Sequence, residues 1–307
     1  MKKALDLAGI IPAVAQPMTA DEQIDERALR KYIRWVASHG IKGVAVNADT
    51  GEGPWLYPEE RLRIIEIWAE ELNGRIPIVA GLTASFTRQA VALAKDAKKA
   101  GADALLVFPI SAYLGQPCPF EIPYHYHKAL ADEVGMPMVM FQIQPSMGGI
   151  NYTDDMFAKL LEIPELVAIK EASFNCQRFI DTVRILKMAS RRITILTGND
   201  DFIFESFVLG ADGGLLGFST LAIGEQVEML NLVKQGDILK AQEIWNRIGP
   251  LEALVFSPPL RDYRPRIKEA LTMLGIIPRA TIRKPFFPIS EAERRKVRTA
   301  LKRAKLL

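Results

Sequence analysis

Eight short apolar runs alternate with longer amphipathic segments, and this alternation constrains the fold more than any other feature of the sequence. The runs cover residues 9–17, 43–48, 76–81, 104–109, 137–142, 166–170, 193–197 and 213–217. Each run is apolar throughout rather than at every second position, as expected for strands buried on both faces. Strands that alternate with helices pair in parallel, so eight such units predict an α/β fold, the closed (β/α)8 TIM barrel.

Helical periodicity fills the gaps between the runs and continues beyond the last one. Helices are predicted at 26–39, 58–72, 87–99, 120–134, 221–233, 237–256, 265–274 and 291–304. The last three have no strand between them, and a barrel needs only about 250 residues, whereas the chain has 307. We therefore expect a barrel over 1–235 and a C-terminal helical extension over 236–307. No linker rich in glycine, serine or proline separates the two, so the extension is expected to pack on the barrel.

Composition excludes several classes of protein. The 39 basic and 36 acidic residues leave a net charge of only +3, which gives no support to a nucleic-acid partner. The two cysteines, Cys118 and Cys176, lie too far apart in sequence for a CxxC pair, and no zinc motif is present. The first residues lack the apolar stretch of a signal peptide, and no run of 18 apolar residues predicts a membrane span. We expect a cytoplasmic enzyme without metal or cofactor.

In TIM barrels the active site lies at the C-terminal ends of the strands, and there Lys170 is the most informative residue. It follows four apolar residues, 166–169, at the end of a buried strand. Burial disfavours the charged ammonium and lowers its pKa, and a neutral amine is the nucleophile that attacks a ketone carbonyl. The alternative is structural: the lysine extends its ammonium to the barrel rim or pairs with Glu171.

Several segments in order resemble one family over nearly the whole chain. These are GIIPAVAQPM at 9–18, DTGE at 49–52, GRIPIVAG at 74–81, IKEAS at 169–173, TGNDD at 197–201, GADGG at 210–214 and KPFFPIS at 284–290. Each is weakly specific by itself, but their order and spacing together resemble the dihydrodipicolinate synthase / N-acetylneuraminate lyase family.

The resemblance implies a class I lyase, either an aldolase or a dehydratase. Lys170 would form a Schiff base with pyruvate or a related small 2-oxo acid, and the iminium would act as an electron sink. Thr50 and the backbone amides of its loop, including Gly51, would hold the substrate carboxylate. Phe141 and the backbone near Leu215 would complete the pocket. The resemblance also implies a homo-oligomer, a tetramer or a dimer.

Two departures from the family pattern concern proton transfer. The family usually has a tyrosine where this chain has Phe141, which carries no hydroxyl, and a first threonine where this chain has Asp49. Asp49 is our candidate acid/base, because a carboxyl at a buried strand end can exchange protons. Equally, Asp49 could cap a turn or pair with an arginine. Glu52 is a second candidate acid, although a structural role fits it better.

Other departures concern the substrate and the subunit interface. Ile110 and Ser111 replace paired tyrosines, with Tyr113 slightly later, and the segment 144–149 is neutral where synthases carry an arginine. The neutral segment and Phe141 favour a less charged second substrate. Two alternatives stay open: a family member that binds a 2-oxo acid without turnover, and a barrel that binds a phosphorylated ligand through its last two loops.

Overall fold

The structure is a computed structural model that describes residues 5–115 and 117–307, and its centre is a sheet of eight parallel strands. The strands are β1 (Ile10–Pro12), β2 (Val44–Val46), β3 (Ile78–Leu82), β4 (Ala104–Val107), β5 (Met138–Ile143), β6 (Leu166–Ala172), β7 (Thr194–Thr197) and β8 (Gly213–Leu216). The helices are α1 (Glu26–Ala37), α2 (Pro58–Leu72), α3 (Thr87–Ala100), α4 (Glu121–Val134), α5 (Asp154–Leu160), α6 (Cys176–Met188), α7 (Ile203–Val208), α8 (Ile223–Gln235), α9 (Ile238–Val255), α10 (Tyr263–Met273) and α11 (Glu291–Arg303).

The sheet closes on itself, which confirms the predicted TIM barrel with C-terminal helices. Its order is β1-β8-β7-β6-β5-β4-β3-β2, so β1 and β2 form its two ends. A bridge between Ala13 and Ala45 joins these ends, and the amide of Val14 donates to the carbonyl of Ala45 at 3.1 Å. Apolar side chains such as Leu106, Val139 and Leu196 fill the barrel interior, as expected for a barrel of this size.

Strand limits differ from the sequence prediction at two places that matter. The first apolar run is buried to Pro17, but the strand itself is Ile10–Pro12 and pairing continues beyond it only as the single bridge at Ala13. The sixth strand runs two residues past Lys170, since Glu171 and Ala172 continue the pairing with β5. Lys170 is therefore anchored on both sides rather than placed at a strand end.

Helix starts differ in how they are capped. Thr153 caps α5, its hydroxyl accepting from the amide of Met156. Phe86 is the capping position of α3, and the amide of Ser85 before it donates to the side chain of Gln89. Helix α10 begins at Tyr263, two residues before the predicted start at 265.

The C-terminal extension continues directly from the barrel. Gly236 ends α8 with a positive φ of 83°, and α9 begins two residues later, so the proposed division between 235 and 236 lies in a tight turn. Helix α9 packs on α7 and α8, and α11 packs on α9 and α10. Within the described part of the chain, every helix is too short or too polar to cross a bilayer.

Candidate active site

A cavity of about 310 Å³ opens among the loops that follow the strands, which is where TIM barrels carry their active sites. Its ionisable and hydroxyl-bearing side chains are Asp49, Thr50, Lys170, Asp200, Tyr263 and Arg264. Its large apolar side chains are Phe108, Phe141, Ile143, Met147, Phe174, Phe256 and Leu260. The cavity is therefore lined by both polar and apolar side chains, and it includes residues of the C-terminal extension.

Lys170 lies on the inner face of the barrel wall. On β6 it pairs with Phe141 of β5 and Leu196 of β7, and its Nζ lies 4.3 Å from the centre of the Phe141 ring. Burial lowers the pKa of the Lys170 ammonium, and the charges of Asp200 and Asp49 oppose this only in part. Gly198 makes room for the side chain, because a Cβ there would lie 2.6 Å from Cε of Lys170. Burial in this cavity thus makes the Lys170 ammonium easier to deprotonate than a lysine in water.

Glu171 does not pair with Lys170, because neighbouring residues of a strand point to opposite faces. Its carboxylate is fully buried on the outer face of β6. There it accepts hydrogen bonds from Gln142 Nε2 at 2.9 Å and Asn199 Nδ2 at 2.7 Å. These two amides satisfy Glu171 and fix the end of β7 against β6, so the alternative of a Lys170–Glu171 pair is excluded in this structure.

The backbone amides of Thr50 and Gly51 lie in the loop that follows β2. Thr50 lines the cavity, and neither amide finds an acceptor among the described residues. Gly51 lies behind Thr50 against the carbonyl of Val14, where a Cβ would approach to 2.7 Å. Only glycine fits this close approach, so the loop can present free amides as an anion site.

Glu52 holds this loop rather than entering the cavity, as the structural interpretation expected. It is fully buried with a φ of 60°, and its carboxylate forms an ion pair with Lys268 of α10. Oε2 also accepts from the backbone amide of Arg283 at 3.0 Å. Since Lys268 is 1% exposed, this pair is sequestered from solvent and from substrate.

Asp49 is engaged by two neighbours from α10. Arg264 pairs with Oδ2 at 2.5 Å and donates from Nε to the Asp49 carbonyl, while Tyr263 donates its hydroxyl to Oδ2 at 2.6 Å. The Tyr263 hydroxyl also lies 3.5 Å from Thr50 Oγ1. Burial and the Asp49 charge raise the pKa of Tyr263 well above its usual value. The arginine pair considered from the sequence is present, and a tyrosine accompanies it.

Asp200 is a second carboxylate that faces the cavity. It is 7% exposed, and Oδ1 accepts from the amide of Phe218 at 2.8 Å instead of capping a helix. Burial raises the pKa of Asp200 to about 6, partly offset by that hydrogen bond and by Lys170. Behind it, burial and the acidic neighbours Asp200 and Asp201 raise the pKa of Glu252 to about 9. Asp200 therefore titrates near neutrality beside the lysine.

Leu215 does not line the cavity. It is fully buried in β8 opposite Ile11, in the layer of side chains below. Gly217, two residues further on, forms that part of the wall, and a Cβ there would lie 3.2 Å from Thr50 Oγ1. Leu215 lies within β8, below the floor of the cavity. In this part of the chain, only residues that follow β8, such as Gly217, border the cavity.

Tyr263, Arg264, Phe256 and Leu260 were missed by the sequence analysis. They line the cavity although they follow the eighth strand by about 40 residues or more. The sequence analysis searched for site residues directly after the strands. These four residues belong to the C-terminal extension, so that search could not identify them. The available signal was the polar pair Tyr263-Arg264 before Pro265 at a helix start.

Comparison with known proteins gives a consistent result. The family model described as the dihydrodipicolinate synthetase family matches residues 6–304. The 4-hydroxy-tetrahydrodipicolinate synthase of Maridesulfovibrio salexigens is 32% identical over 302 residues, 97% of this chain and 99% of that protein. A dihydrodipicolinate synthase from Acinetobacter baumannii, solved with pyruvate, is 30% identical with a TM-score of 0.86 over 98% of this chain and all of that one. A dihydrodipicolinate synthase variant described as monomeric has a TM-score of 0.89 at 26% identity, with 97% of each chain covered.

Proposed function

The chain belongs to the dihydrodipicolinate synthetase family, and from this premise we propose that it forms a Schiff base between Lys170 and a small 2-oxo acid such as pyruvate. The predicted family and the predicted enzyme class, a lyase of the dihydrodipicolinate synthase type, are confirmed by the matches. The observation that carries the Schiff-base proposal is Lys170 itself. Its amine lies in a cavity, desolvated, and no ion pair holds it among the described residues.

Asp200 serves the first step as a proton carrier. The Lys170 ammonium gives one proton to the Asp200 carboxylate, and the neutral amine attacks the C2 carbonyl, forming the C–N bond. The oxygen leaves C2 as water after taking up one of the two remaining amine protons and the proton that Asp200 returns, and the iminium nitrogen keeps the other amine proton. The charge interaction between Lys170 and Asp200 and the near-neutral pKa of Asp200 support this role.

Thr50 and Gly51 bind the carboxylate of the 2-oxo acid. The two amides without acceptors and the Thr50 hydroxyl form a group of donors at the C-terminal end of β2. Charge-assisted hydrogen bonds from such donors are roughly twice as strong as neutral ones. A bound carboxylate would thereby align the carbonyl carbon for attack by Lys170.

Asp49 acts through Tyr263 in the bond-breaking step. In an aldol cleavage, the substrate hydroxyl gives its proton to the Tyr263 oxygen as Tyr263 gives its own to Asp49. The electrons of the C–C bond move into the iminium, which leaves an aldehyde and an enamine that is then protonated at carbon. The 2.6 Å hydrogen bond from Tyr263 to Asp49 supports this relay, and Phe141 has no group that could replace it.

Borohydride trapping tests the Schiff base. The protein is incubated with pyruvate and other 2-oxo acids, reduced, and digested for peptide mass spectrometry. We expect an adduct on Lys170 that is absent in Lys170→Ala and present in Lys95→Ala, a control on the exposed face of α3. A folded protein that yields no adduct with any acid would sink the proposal.

The alternative is a family member that binds a 2-oxo acid without turnover. Phe141 favours it, because the ring cannot transfer a proton. In that case Lys170 would still be trapped by pyruvate, and neither an aldehyde nor a dehydration product would be detected with any longer 2-oxo acid. We further propose that the protein works in the cytoplasm as a homo-oligomer, a tetramer or a dimer.

A further inference from the structure

We infer that the outer part of the cavity accepts an uncharged, apolar substituent, so the substrate is a 2-oxo acid with an apolar extension or the matching apolar aldehyde. This inference rests on the proposed function, because it assumes that Lys170 holds the 2-oxo end. Three observations carry it: the positive charges that line the cavity, the position of Asp200, and the apolar wall.

The cationic side chains that line the cavity already have roles or partners. Among the described residues that line the cavity, Lys170 and Arg264 are the two cations. Lys170 is consumed in the Schiff base. Arg264 is 7% exposed, pairs with Asp49 through Nη2 and Nε, and lies flat against Trp55 at 4.4 Å. The guanidinium of Arg264 is therefore already paired, and it is not free to bind a second carboxylate or a phosphate of the substrate.

Asp200 adds a repulsive contribution. With a pKa of about 6 it is mostly ionised at neutral pH, and it is buried in the wall of the same cavity. A second anionic group on the substrate would enter a space that holds this charge and has no free cation. Transfer of an unpaired carboxylate out of water is costly, so such a substrate is disfavoured.

The apolar wall offers a matching surface. The apolar residues that border the cavity come from the ends of β4, β5 and β6 and from the extension: Phe108, Ile143, Met147, Phe174 and Leu260. Met147 and Leu260 are 42% and 39% exposed, which marks the rim. An alkyl or aryl group that covers this wall would be driven there by burial of apolar surface.

Competitive trapping compares two acids of the same shape. Equal concentrations of 2-oxo-5-methylhexanoate and 2-oxoglutarate, in which an isopropyl group replaces a carboxylate, are incubated with the protein and reduced with borohydride. The Lys170 peptide is then analysed by mass. We expect the isopropyl adduct to exceed the carboxylate adduct by about tenfold. Pyruvate alone serves as the reference for the Schiff base.

Met147→Arg places a cation at the rim and is expected to raise the share of the 2-oxoglutarate adduct severalfold. Met188→Arg is the matched control, since Met188 is 81% exposed at the end of α6 and outside the cavity. Its adduct ratio should equal that of the unmodified protein.

Equal or dominant trapping of 2-oxoglutarate by the unmodified protein would overturn the inference. So would trapping of pyruvate with neither longer acid, because the outer space would then accept no extension. Failure to trap pyruvate itself would instead refute the Schiff base, so the two failures are distinguishable.

Discussion

At the scale of the residue, the proposed mechanism assigns to Tyr263 the hydroxyl that Phe141 lacks. The resemblance places a tyrosine at position 141, where this chain has a phenyl ring against the lysine. Tyr263 lines the same cavity from α10, and its hydroxyl donates to Asp49. Proton transfer requires a hydroxyl close to the reacting atoms. A tyrosine at position 141 or at position 263 can supply that hydroxyl.

Tyr263→Phe tests this assignment. The variant keeps the ring stacked on Phe256, whose centre lies 5.0 Å away, but loses the relay. We expect kcat to fall about a hundredfold with little change in KM, because general acid–base groups contribute roughly 10²–10⁴-fold. Pyruvate trapping on Lys170 should persist, which separates a lost relay from a lost fold.

Tyr57→Phe is the control, since the Tyr57 side chain is 65% exposed outside the cavity. A kcat for Tyr263→Phe equal to that of the control would remove Tyr263 from the mechanism.

Asp200 gives the reaction a pH dependence whose sign follows from its role. It must be ionised to accept the ammonium proton, and its pKa is raised to about 6. The rate of adduct formation with pyruvate should therefore rise as pH increases from 5 to 7, with its midpoint near 6. The rate is measured by adding borohydride at fixed times at each pH in this range and quantifying the Lys170 adduct. In Asp200→Asn the rise near pH 6 should vanish and the rate should be low throughout; a retained midpoint would assign the titration to another group.

At the scale of the element, α10 holds the loop that follows β2. Tyr263 and Arg264 bind Asp49, and Lys268 binds Glu52, so three side chains on one helix fix both ends of the 49–52 segment. The Lys268–Glu52 pair is buried on both sides and depends on geometry, because both of its charges have lost their water. The loop that presents free amides is thus positioned by an element outside the barrel.

The sequence predicted the elements well and their ends less well. Continuous apolar runs identify strands buried on both faces, and this pattern is why all eight strands were found. The sequence analysis placed the start of α10 at residue 265. In the structure Tyr263 and Arg264 already belong to its first turn. The predicted helix omitted Tyr263 and Arg264, and these are the two residues of its first turn that line the cavity.

The candidate site was predictable where it follows strands. Lys170, Asp49, Thr50 and Phe141 all border one cavity, as their strand positions implied. Contacts with the extension were not predictable, because Asp49 and Tyr263 are separated by 214 residues and no local pattern encodes their meeting. The sequence analysis placed Leu215 at the cavity, whereas it lies below it. A sequence gives the order of residues along a strand but not which of them reach the end of the barrel that carries the cavity.

At the scale of the whole molecule, the assembly state is a prediction. Large apolar side chains such as Phe86 and Leu114 are 57% and 56% exposed in the single chain, and contact with a second copy would cover them. We expect a molar mass of two or four times 34.2 kDa by light scattering. A mass of 34.2 kDa at micromolar concentration would contradict this, and would resemble the relative described as monomeric.

The packing of α10 over the strand ends has a consequence for biosynthesis. Chains leave the ribosome from the N-terminus, at roughly 5–20 residues per second, so Lys170 and all eight strands emerge before Tyr263, Arg264 and Lys268. A nascent barrel would carry its nucleophile while the partners of Asp49 and Glu52 were still inside the exit tunnel. The 49–52 segment can therefore reach its final position only after α10 has been synthesised, and a message cut short after the eighth strand would lack the side chains that bind Asp49 and Glu52.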